Sequence, residues 1–259
     1  MSNEKLMPQK IKKNSVFVPY EIKKNSCNTY KQSGDIGDLI YSLPVMKFYG
    51  GGHLQLNPFG LPSKKYDGSK SGFNKKIIKL IKPLLERQEY IKSITHWEKK
   101  FVDVDLDYFR TNPAVCENLC GTILGTFHVP FSETDTAWLQ CDEKKVAPVV
   151  IARSFRYRNE DLNYSDFFEN FNDCIFIGLP EEHEDFQKSF GKIEYYKIDN
   201  LLQIAEIING SELFIGNQSA PMAIAIGLHK AYLQEYYPSH PDCVFPRSNG
   251  KYLIASKEK

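Results

Sequence analysis

The amino-acid sequence predicts an α/β protein with two domains whose sheets are mostly parallel. Apolar runs of strand length alternate with segments of helical periodicity along most of the 259 residues. Two strand–turn–helix units, at 33–44 and 211–228, carry glycine in their turns. A charged segment, 142–145, separates the half that contains the first unit from the half that contains the second.

The domain boundaries follow from this pattern. The Lys-rich residues 1–14 predict a flexible basic N-terminus, which precedes an N-terminal domain at 15–141 and a C-terminal domain at 146–259. Lysines outnumber acidic residues over the first thirty-odd positions. This excess indicates either a solvated tail or a docking arm for an anionic acceptor.

The composition is typical of a soluble globular protein. Hydrophobic residues make up 42% of the chain and charged residues 25%, and the net charge of +1 creates no whole-protein attraction to nucleic acid or membrane. We see no signal-peptide pattern and no apolar run of membrane-spanning length, so we expect a cytoplasmic protein.

The six cysteines lack disulfide spacing, and we expect reduced, buried thiols, Cys116 and Cys174 among them. Cys116, Cys120 and His128 would allow a zinc site, but no second closely spaced pair completes it, so we expect no metal.

The elements follow in chain order from apolar periodicity and turn residues. We expect strands at 15–20, 27–30, 53–58, 94–97, 146–152, 174–178, 193–198, 213–215 and 230–235, and a closing segment at 252–255. We expect helices after Gly37, at 73–91, 113–127 and 164–171, from 179, at 201–208 and from about 220, with a loop over the site at 59–72. Pro83 should kink or split the helix at 73–91.

Asp103, Asp105 and Asp107 alternate with apolar residues, which indicates a solvated sheet edge or a metal site.

The late glycine unit predicts a phosphate site. An apolar strand ends at Gly216-Asn217, and Ser219 or Ala220 would cap a helix with Pro221 as its first residue. Free N–H groups and the positive end of the helix dipole would then face the turn. The alternative is a buried strand–helix unit of an ordinary α/β domain.

The early glycine unit predicts a carboxylate at the rim of the strands. Gly34 and Gly37 allow a close turn, and Asp38 then lies in the first turn of a helix, where α/β proteins place their sites. The alternative role for Asp38 is helix capping. Asp35 would be a second carboxylate near the site or a turn residue.

A basic segment follows the first strand of the second domain. Arg153, Arg156 and Arg158 could neutralise a diphosphate, which arginine binds with two parallel hydrogen bonds. A solvated loop is the alternative.

Two motifs carry a resemblance to a known family. Residues 216–223, Gly-Asn-Gln-Ser-Ala-Pro-Met-Ala, resemble the Gly-Asn-Asp-Ser-Gly-Pro-Met-His segment of the heptosyltransferase-like glycosyltransferases (glycosyltransferase family 9, GT-B fold). Gly37-Asp38-Leu39 with Leu43-Pro44 is similar to the first loop of that family. The chain departs from the family at Gln218, Ala220 and Ala223.

The resemblance implies a GT-B-like fold, in which two Rossmann-like domains face a central cleft. It implies an inverting, metal-independent glycosyltransferase with no cofactor, which takes a nucleotide-diphospho-sugar as co-substrate. The acceptor would be a glycan or another hydroxyl-bearing molecule, and a modified nucleic acid stays possible. The alternatives are a non-catalytic nucleotide-sugar or glycan binding module on the same fold, and a nucleotide-sugar hydrolase or epimerase, which no motif favours.

The resemblance also implies residue roles. Asp38 would be the general base, and Gly34, Asp35 and Gly37 would form the acceptor-side loop. The residues expected to bind the donor are Arg153, Arg156, Arg158, Glu182, Asn217, Gln218 and Ser219. Glu182 lies in a segment similar to the family's Gly-x-Pro-x-Glu loop and would face the base or ribose, with helix capping as its alternative role.

Overall fold

A computed structural model describes residues 22–60, 72–114, 116, 118–166 and 172–255. The predicted basic N-terminus, the predicted strand at 15–20 and most of the predicted loop at 59–72 lie outside the described residues.

The N-terminal half forms a four-stranded parallel sheet with the strand order β3-β2-β1-β4. Its strands are β1 (Asn28–Gln32), β2 (Gly52–Leu56), β3 (Ile91–His96) and β4 (Val104–Asp105). Its helices are α1 (Ile36–Phe48), α2 (Lys75–Glu86) and α3 (Leu119–Thr126).

The C-terminal half forms a six-stranded parallel sheet with the strand order β10-β9-β8-β5-β6-β7. Its strands are β5 (Val149–Ala152), β6 (Cys174–Phe176), β7 (Glu194–Tyr195), β8 (Leu213–Gly216), β9 (Tyr232–Glu235) and β10 (Gly250–Leu253). Its helices are α4 (Pro180–Phe190), α5 (Leu201–Gly210) and α6 (Ala220–Gly227).

These two parallel sheets confirm the predicted α/β fold class. In each sheet the strands all run the same way, so their carboxyl ends meet at one edge. α1 follows the carboxyl end of β1, and α6 follows the carboxyl end of β8. The two glycine turns are therefore the segments from which a site would be built.

Trp138, in the segment between the two sheets, joins the halves. Its backbone N–H donates to the carbonyl of Gly227 at the end of α6 (2.9 Å), and its buried indole Nε1 donates to the carbonyl of Ile40 in α1 (3.0 Å). Ile40 lies four residues before Pro44, which has no N–H to complete the helical bond. The indole thus supplies the donor that α1 lacks, and it ties α1 to α6.

Two predicted helices differ in detail. α2 runs continuously through Pro83 instead of splitting there. The carbonyl that loses its helical donor belongs to Lys79, which lies on the exposed face of the helix, where water can replace the bond. α3 is shorter than the predicted 113–127, because the side chain of Asn118 caps it by accepting the N–H of Gly121 (2.8 Å).

The predicted alternating aspartates bind the neighbouring strand. Asp103 accepts the N–H of Thr29 (2.8 Å), Asp105 pairs with Lys31 (2.8 Å), and Asp107 accepts the N–H of Ser33 (3.2 Å). The two-residue spacing of the carboxylates matches the two-residue period of β1 and its extension. Hydrogen bonds from Thr29 lower the pKa of Asp103. β4 is the edge strand of the sheet and Asp103 is exposed, as the predicted solvated edge requires, and the contacts with β1 explain the two-residue spacing.

The cysteines are only partly as expected. Cys120 and Cys174 are buried, but Cys27 and Cys116 are exposed, so the expectation of buried thiols is wrong at those two positions. Cys116 precedes α3 and so shares no helix face with Cys120.

Over the described ranges, no three His, Cys, Asp or Glu side chains are grouped as metal ligands would be. The same part of the chain contains no helix with the length and apolarity that crossing a membrane requires.

We expect Trp138→Phe to lower the free energy of unfolding by about 1–3 kcal/mol, because the buried carbonyl of Ile40 loses its donor. Adding Pro44→Ala to this variant should recover part of the loss, since alanine at this position restores an N–H to the helix. Urea unfolding of the two single variants and the double variant measures both effects.

Trp97→Phe is the matched control, because Trp97 is the other tryptophan and its indole donates only to the nearby carbonyl of Lys100. Its loss should stay within about 0.5 kcal/mol. Equal losses in the two phenylalanine variants would contradict the role given to Trp138.

Candidate functional site

The early turn brings Asp38 and Arg110 together over Gly34. Arg110 ends a 3₁₀ turn (Tyr108–Arg110) that follows β4. A Cβ atom added to Gly34 would collide with Nη2 of Arg110 and Oδ2 of Asp38. The backbone N–H of Gly34 donates to the buried side chain of Gln32 (2.6 Å). Glycine at this position therefore lets a guanidinium and a carboxylate meet across the turn.

Asp38 has one oriented oxygen and one available oxygen. Its Oδ2 accepts the N–H of Asp35 (3.1 Å) and Nη2 of Arg110 (2.6 Å). Within the described part of the chain, Oδ1 accepts no hydrogen bond, and the side chain is 21% exposed. The carboxylate is thus held through Oδ2 while its side chain stays partly exposed, as a proton acceptor requires.

Arg110 was missed by the sequence analysis. It bridges Asp38 and Asp107, with its Nε 3.5 Å from Oδ1 of Asp107. Burial alone would lower the pKa of Arg110, but the charges of Asp38 and Asp107 outweigh it and raise the pKa above the usual value. The sequence did contain a signal for Arg110, because a basic residue that follows the carboxyl end of a strand is the same feature by which the arginines after β5 were selected.

The two halves of the chain meet at Asp35 and Arg156. Nη1 of Arg156 lies 3.2 Å from Oδ2 of Asp35, and the Arg156 side chain is 56% exposed. Asp35 caps α1, and Arg156 lies in the loop after β5. The early turn and this loop therefore lie next to each other.

The other two arginines of the loop are engaged within the C-terminal half. Arg153 is only 3% exposed and makes two hydrogen bonds to the buried carboxylate of Glu235 (2.8 and 3.1 Å). Arg158 pairs with Asp185 of α4 (2.6 Å) and donates to the carbonyl of Ser154 (2.8 Å). These contacts differ from the expectation of three donor-facing arginines. Of the three, Arg156 is the one that pairs with a residue of the early turn, Asp35.

Asn217 fixes the loop that carries Arg156. Its fully buried amide accepts the N–H of Ser154 (2.9 Å) and donates to the carbonyls of Ser154 and Arg156. Gly216 allows this approach, because a Cβ there would collide with the carbonyl oxygen of Ala152. The structure thus gives Asn217 a positioning role for the loop.

The late turn leads into α6 as the sequence predicts, with one shift. Ser219 is the N-cap and Pro221 is the second helical residue rather than the first. The hydroxyl of Ser219 donates to the carbonyl of Asn217 (3.1 Å) rather than accepting a helix N–H. Gln218 is buried, and its Nε2 donates to the carbonyl of His240 (2.8 Å), while its Oε1 has no partner among the described residues. Ala223 is fully buried within α6.

Glu182 occupies the capping position that the sequence analysis gave as its alternative role. Its Oε2 accepts the N–H of Leu179 at the start of α4 (3.0 Å). Burial raises the pKa of Glu182, and the hydrogen bond from Leu179 opposes that shift. The backbone N–H of Phe155, in the loop after β5, also donates to this carboxylate, which therefore connects the start of α4 to that loop.

Three rings that the sequence analysis did not select lie beside Arg156. The hydroxyl of Tyr157 accepts from Nη2 of Arg156 (3.0 Å), and the Tyr157 ring lies 4.8 Å from that of His240 and 6.1 Å from that of Tyr237. Tyr157 has a φ of 51°, a left-handed conformation that non-glycine residues rarely adopt. Only the tertiary structure brings these residues together, since the loops after β5 and β9 are far apart in sequence.

The two kinds of arginine contact give a testable contrast. Arg153→Ala should lower the free energy of unfolding by about 3 kcal/mol, because it leaves the charge of Glu235 buried without its partner. Arg156→Ala removes an exposed pair and should cost no more than about 1 kcal/mol. Urea unfolding measures both, and similar losses would contradict the distinction.

Comparisons with known proteins agree with this geometry at the level of the fold. No protein-family model matches the chain, and no curated protein matches it. A glycosyl transferase family 9 structure from Veillonella parvula is similar with a TM-score of 0.56 at 12% identity, covering 87% of this chain and 84% of that one. The E. coli heptosyltransferase WaaC with ADP is similar with a TM-score of 0.55 at 8% identity, covering 86% of this chain and 92% of that one. The iron-containing dodecameric glycosyltransferase TibC from E. coli is similar with a TM-score of 0.54 at 13% identity, covering 88% of this chain and 65% of that one.

At these identities the similarity concerns the fold. The chain has the two-sheet α/β architecture of the heptosyltransferase-like, GT-B glycosyltransferases, as its two motifs predicted.

Proposed function

We propose that this protein is an inverting glycosyltransferase that moves a sugar from a nucleotide-diphospho-sugar to an acceptor hydroxyl, with Asp38 as the general base. The contact between Asp35 and Arg156 carries the proposal, because it brings the Asp38 turn next to the loop that Asn217 holds at the start of α6. The similarity in fold to a heptosyltransferase solved with ADP and with ADP-2-deoxy-2-fluoro heptose supports a nucleotide-sugar as the donor.

The donor diphosphate would bind between the start of α6 and Arg156. The first turn of α6 offers backbone N–H groups and the positive end of its dipole, with Ser219 and Gln218 beside it. Arg156 is exposed enough to exchange Asp35 for a diphosphate, which accepts two parallel hydrogen bonds from a guanidinium. Asn217 would act indirectly by holding the Arg156 loop. These groups would stabilise the leaving diphosphate, so we propose a reaction that does not rely on a metal.

Asp38 would take the proton of the acceptor hydroxyl at Oδ1. The hydroxyl oxygen would attack the anomeric carbon from the face opposite the diphosphate, the bond from that carbon to the diphosphate oxygen would break, and the configuration would invert. Arg110 and the N–H of Asp35 would hold the carboxylate in orientation through Oδ2. A base placed this way contributes about 10²- to 10⁴-fold to the rate.

A non-catalytic binding module is the second candidate. It is favoured by the replacement of three residues of the family motif, now Gln218, Ala220 and Ala223. The first two lie at the turn where the donor would bind, and Ala223 is buried. The glycosyltransferase and the binding module would bind the same donor at the same site, but only the glycosyltransferase would convert it to products.

Arg156→Ala should weaken nucleoside diphosphate binding by about tenfold to a hundredfold, because a charge-assisted hydrogen bond contributes about 1.5–3 kcal/mol. A thermal-shift panel of nucleoside diphosphates and their sugars identifies the ligand, since a ligand bound only by the native state raises Tm. Arg87→Ala is the control, because Arg87 forms an exposed pair with Asp142 away from the cleft. If no nucleotide stabilises the wild-type protein, the donor site is wrong.

Asp38→Asn should reduce sugar transfer, or hydrolysis of the donor, by about 10²- to 10⁴-fold while donor binding is retained. Asp135→Asn, at an exposed aspartate, should leave turnover unchanged. Turnover of the donor found in the panel is measured by release of the nucleoside diphosphate. Wild-type rates in the Asp38 variant would refute the base assignment, and binding without any turnover in the wild-type protein would favour the binding module.

A further inference from the structure

Three side chains, a thiol, an imidazole and a hydroxyl, contact one another at the amino edge of the N-terminal sheet. Sγ of Cys27 lies 3.4 Å from Nε2 of His53, and Nδ1 of His53 lies 2.7 Å from Oγ of Ser93. Cys27 and His53 are exposed, and Ser93 is half-buried. We call these three residues the Cys–His–Ser cluster.

The register of the parallel strands places the cluster on one face of the sheet. His53 in β2 is the partner of Thr29 in β1 and of Ser93 in β3. Partnered residues of a parallel sheet share a face, and Cys27 lies two residues before Thr29, which is one period of an extended chain. The strand register therefore brings the thiol and the hydroxyl to opposite sides of the imidazole.

The backbone around the cluster is fixed in both β1 and β2. Before Cys27, the side chains of Ser26 and Asn28 donate to the carbonyl of Lys23 (2.8 and 3.0 Å). In β2, Gly52 allows a close approach to β1, because a Cβ atom there would collide with the carbonyl oxygen of Asn28. The thiol and the imidazole are therefore held within reach of each other before any reagent arrives.

Two charged side chains of opposite sign lie near the thiol. Asp103 accepts hydrogen bonds from the backbone and the hydroxyl of Thr29 (2.8 and 2.7 Å), on the same face of the sheet. These bonds, and to a smaller extent the positive charge of Lys23, lower the pKa of Asp103. Because the two charges offset each other, the imidazole of His53 is the group that decides whether the thiol can lose its proton.

We propose that Cys27 is a nucleophilic thiol that forms a mixed disulfide with a low-molecular-weight disulfide, with His53 as its general base. Nε2 takes the thiol proton as Sγ attacks one sulfur of the reagent. A new S–S bond to Cys27 forms, the S–S bond of the reagent breaks, and the proton passes from Nε2 to the thiolate that leaves. One thiol and one disulfide react, and one thiol and one disulfide result, so no other oxidant is needed.

Ser93 is a positioning residue for this step. When its hydroxyl accepts the proton of Nδ1, the lone pair of the imidazole is on Nε2 and faces Sγ of Cys27. A metal ion is the other ligand that a thiol beside an imidazole could bind. No third His, Cys, Asp or Glu completes such a site in the part of the chain that the structure describes.

The cluster is separate from the proposed transferase site. It lies at the amino ends of the strands, whereas the Asp38 turn follows the carboxyl end of β1. The proposal therefore does not rest on the proposed function, and its test needs no sugar donor.

Reaction with glutathione disulfide tests the proposal. The reduced full-length protein is treated with an excess of this reagent, free thiols are blocked at intervals, and tryptic peptides are quantified by mass spectrometry. Peptide 25–31 contains Cys27 as its only cysteine. Cys27 should react at least about tenfold faster than Cys116, the other exposed cysteine among the described residues.

Variants of the cluster separate its members. His53→Ala should slow the reaction of Cys27 by at least about tenfold, because the base is lost. Ser93→Ala should slow it by about threefold to tenfold, the equivalent of one hydrogen bond. His96→Ala, at an exposed histidine that ends β3, is the matched control and should leave the rate unchanged.

Thermal unfolding confirms that each variant is folded. Equal rates for Cys27 and Cys116 in the wild-type protein overturn the proposal. So does a Cys27 rate that His53→Ala leaves unchanged, which would give the imidazole a purely structural role.

Discussion

The position of α1 against α6 depends on one buried side chain, Trp138. Its indole donates to a carbonyl of α1 that Pro44 leaves without a helical partner, and its backbone N–H donates to the last residue of α6. The amino ends of these two helices carry Asp38 and the turn of Ser219. The positions of these two turns are therefore linked through a residue that belongs to neither sheet.

Around the early turn, charged groups are arranged in pairs of opposite sign. Asp38 is paired with Arg110, and Asp35 with Arg156. The first pair lies within the N-terminal half and is further held by Asp107, whereas the second joins the two halves and is more exposed. Exposed pairs contribute little to stability and exchange partners easily. The less exposed pair is therefore suited to fixing the orientation of the Asp38 carboxylate. The more exposed pair is suited to opening when an anion binds to Arg156.

Much of the fold could be predicted from the sequence, because strand periodicity and glycine turns are local signals. The strands at β1, β2, β5, β8 and β9 and the turns before α1 and α6 were found in this way. The site was predicted less completely, because its contacts are not local. Arg110 meets Asp38 across 72 residues, and the difference between Arg153 and Arg156 depends on Glu235, which lies in another strand. Three arginines within one segment of the sequence do not show which of them is buried against a carboxylate.

The buried pair of Arg153 and Glu235 bears on how the chain is synthesised. Arg153 directly follows β5 and Glu235 ends β9, the strands on either side of β8, and the two residues are separated by 82 positions. A ribosome releases Arg153 well before its carboxylate partner exists, so the guanidinium must stay hydrated until the ninth strand emerges. The C-terminal sheet can then close only after β9 has been synthesised, when the N-terminal half has had time to fold.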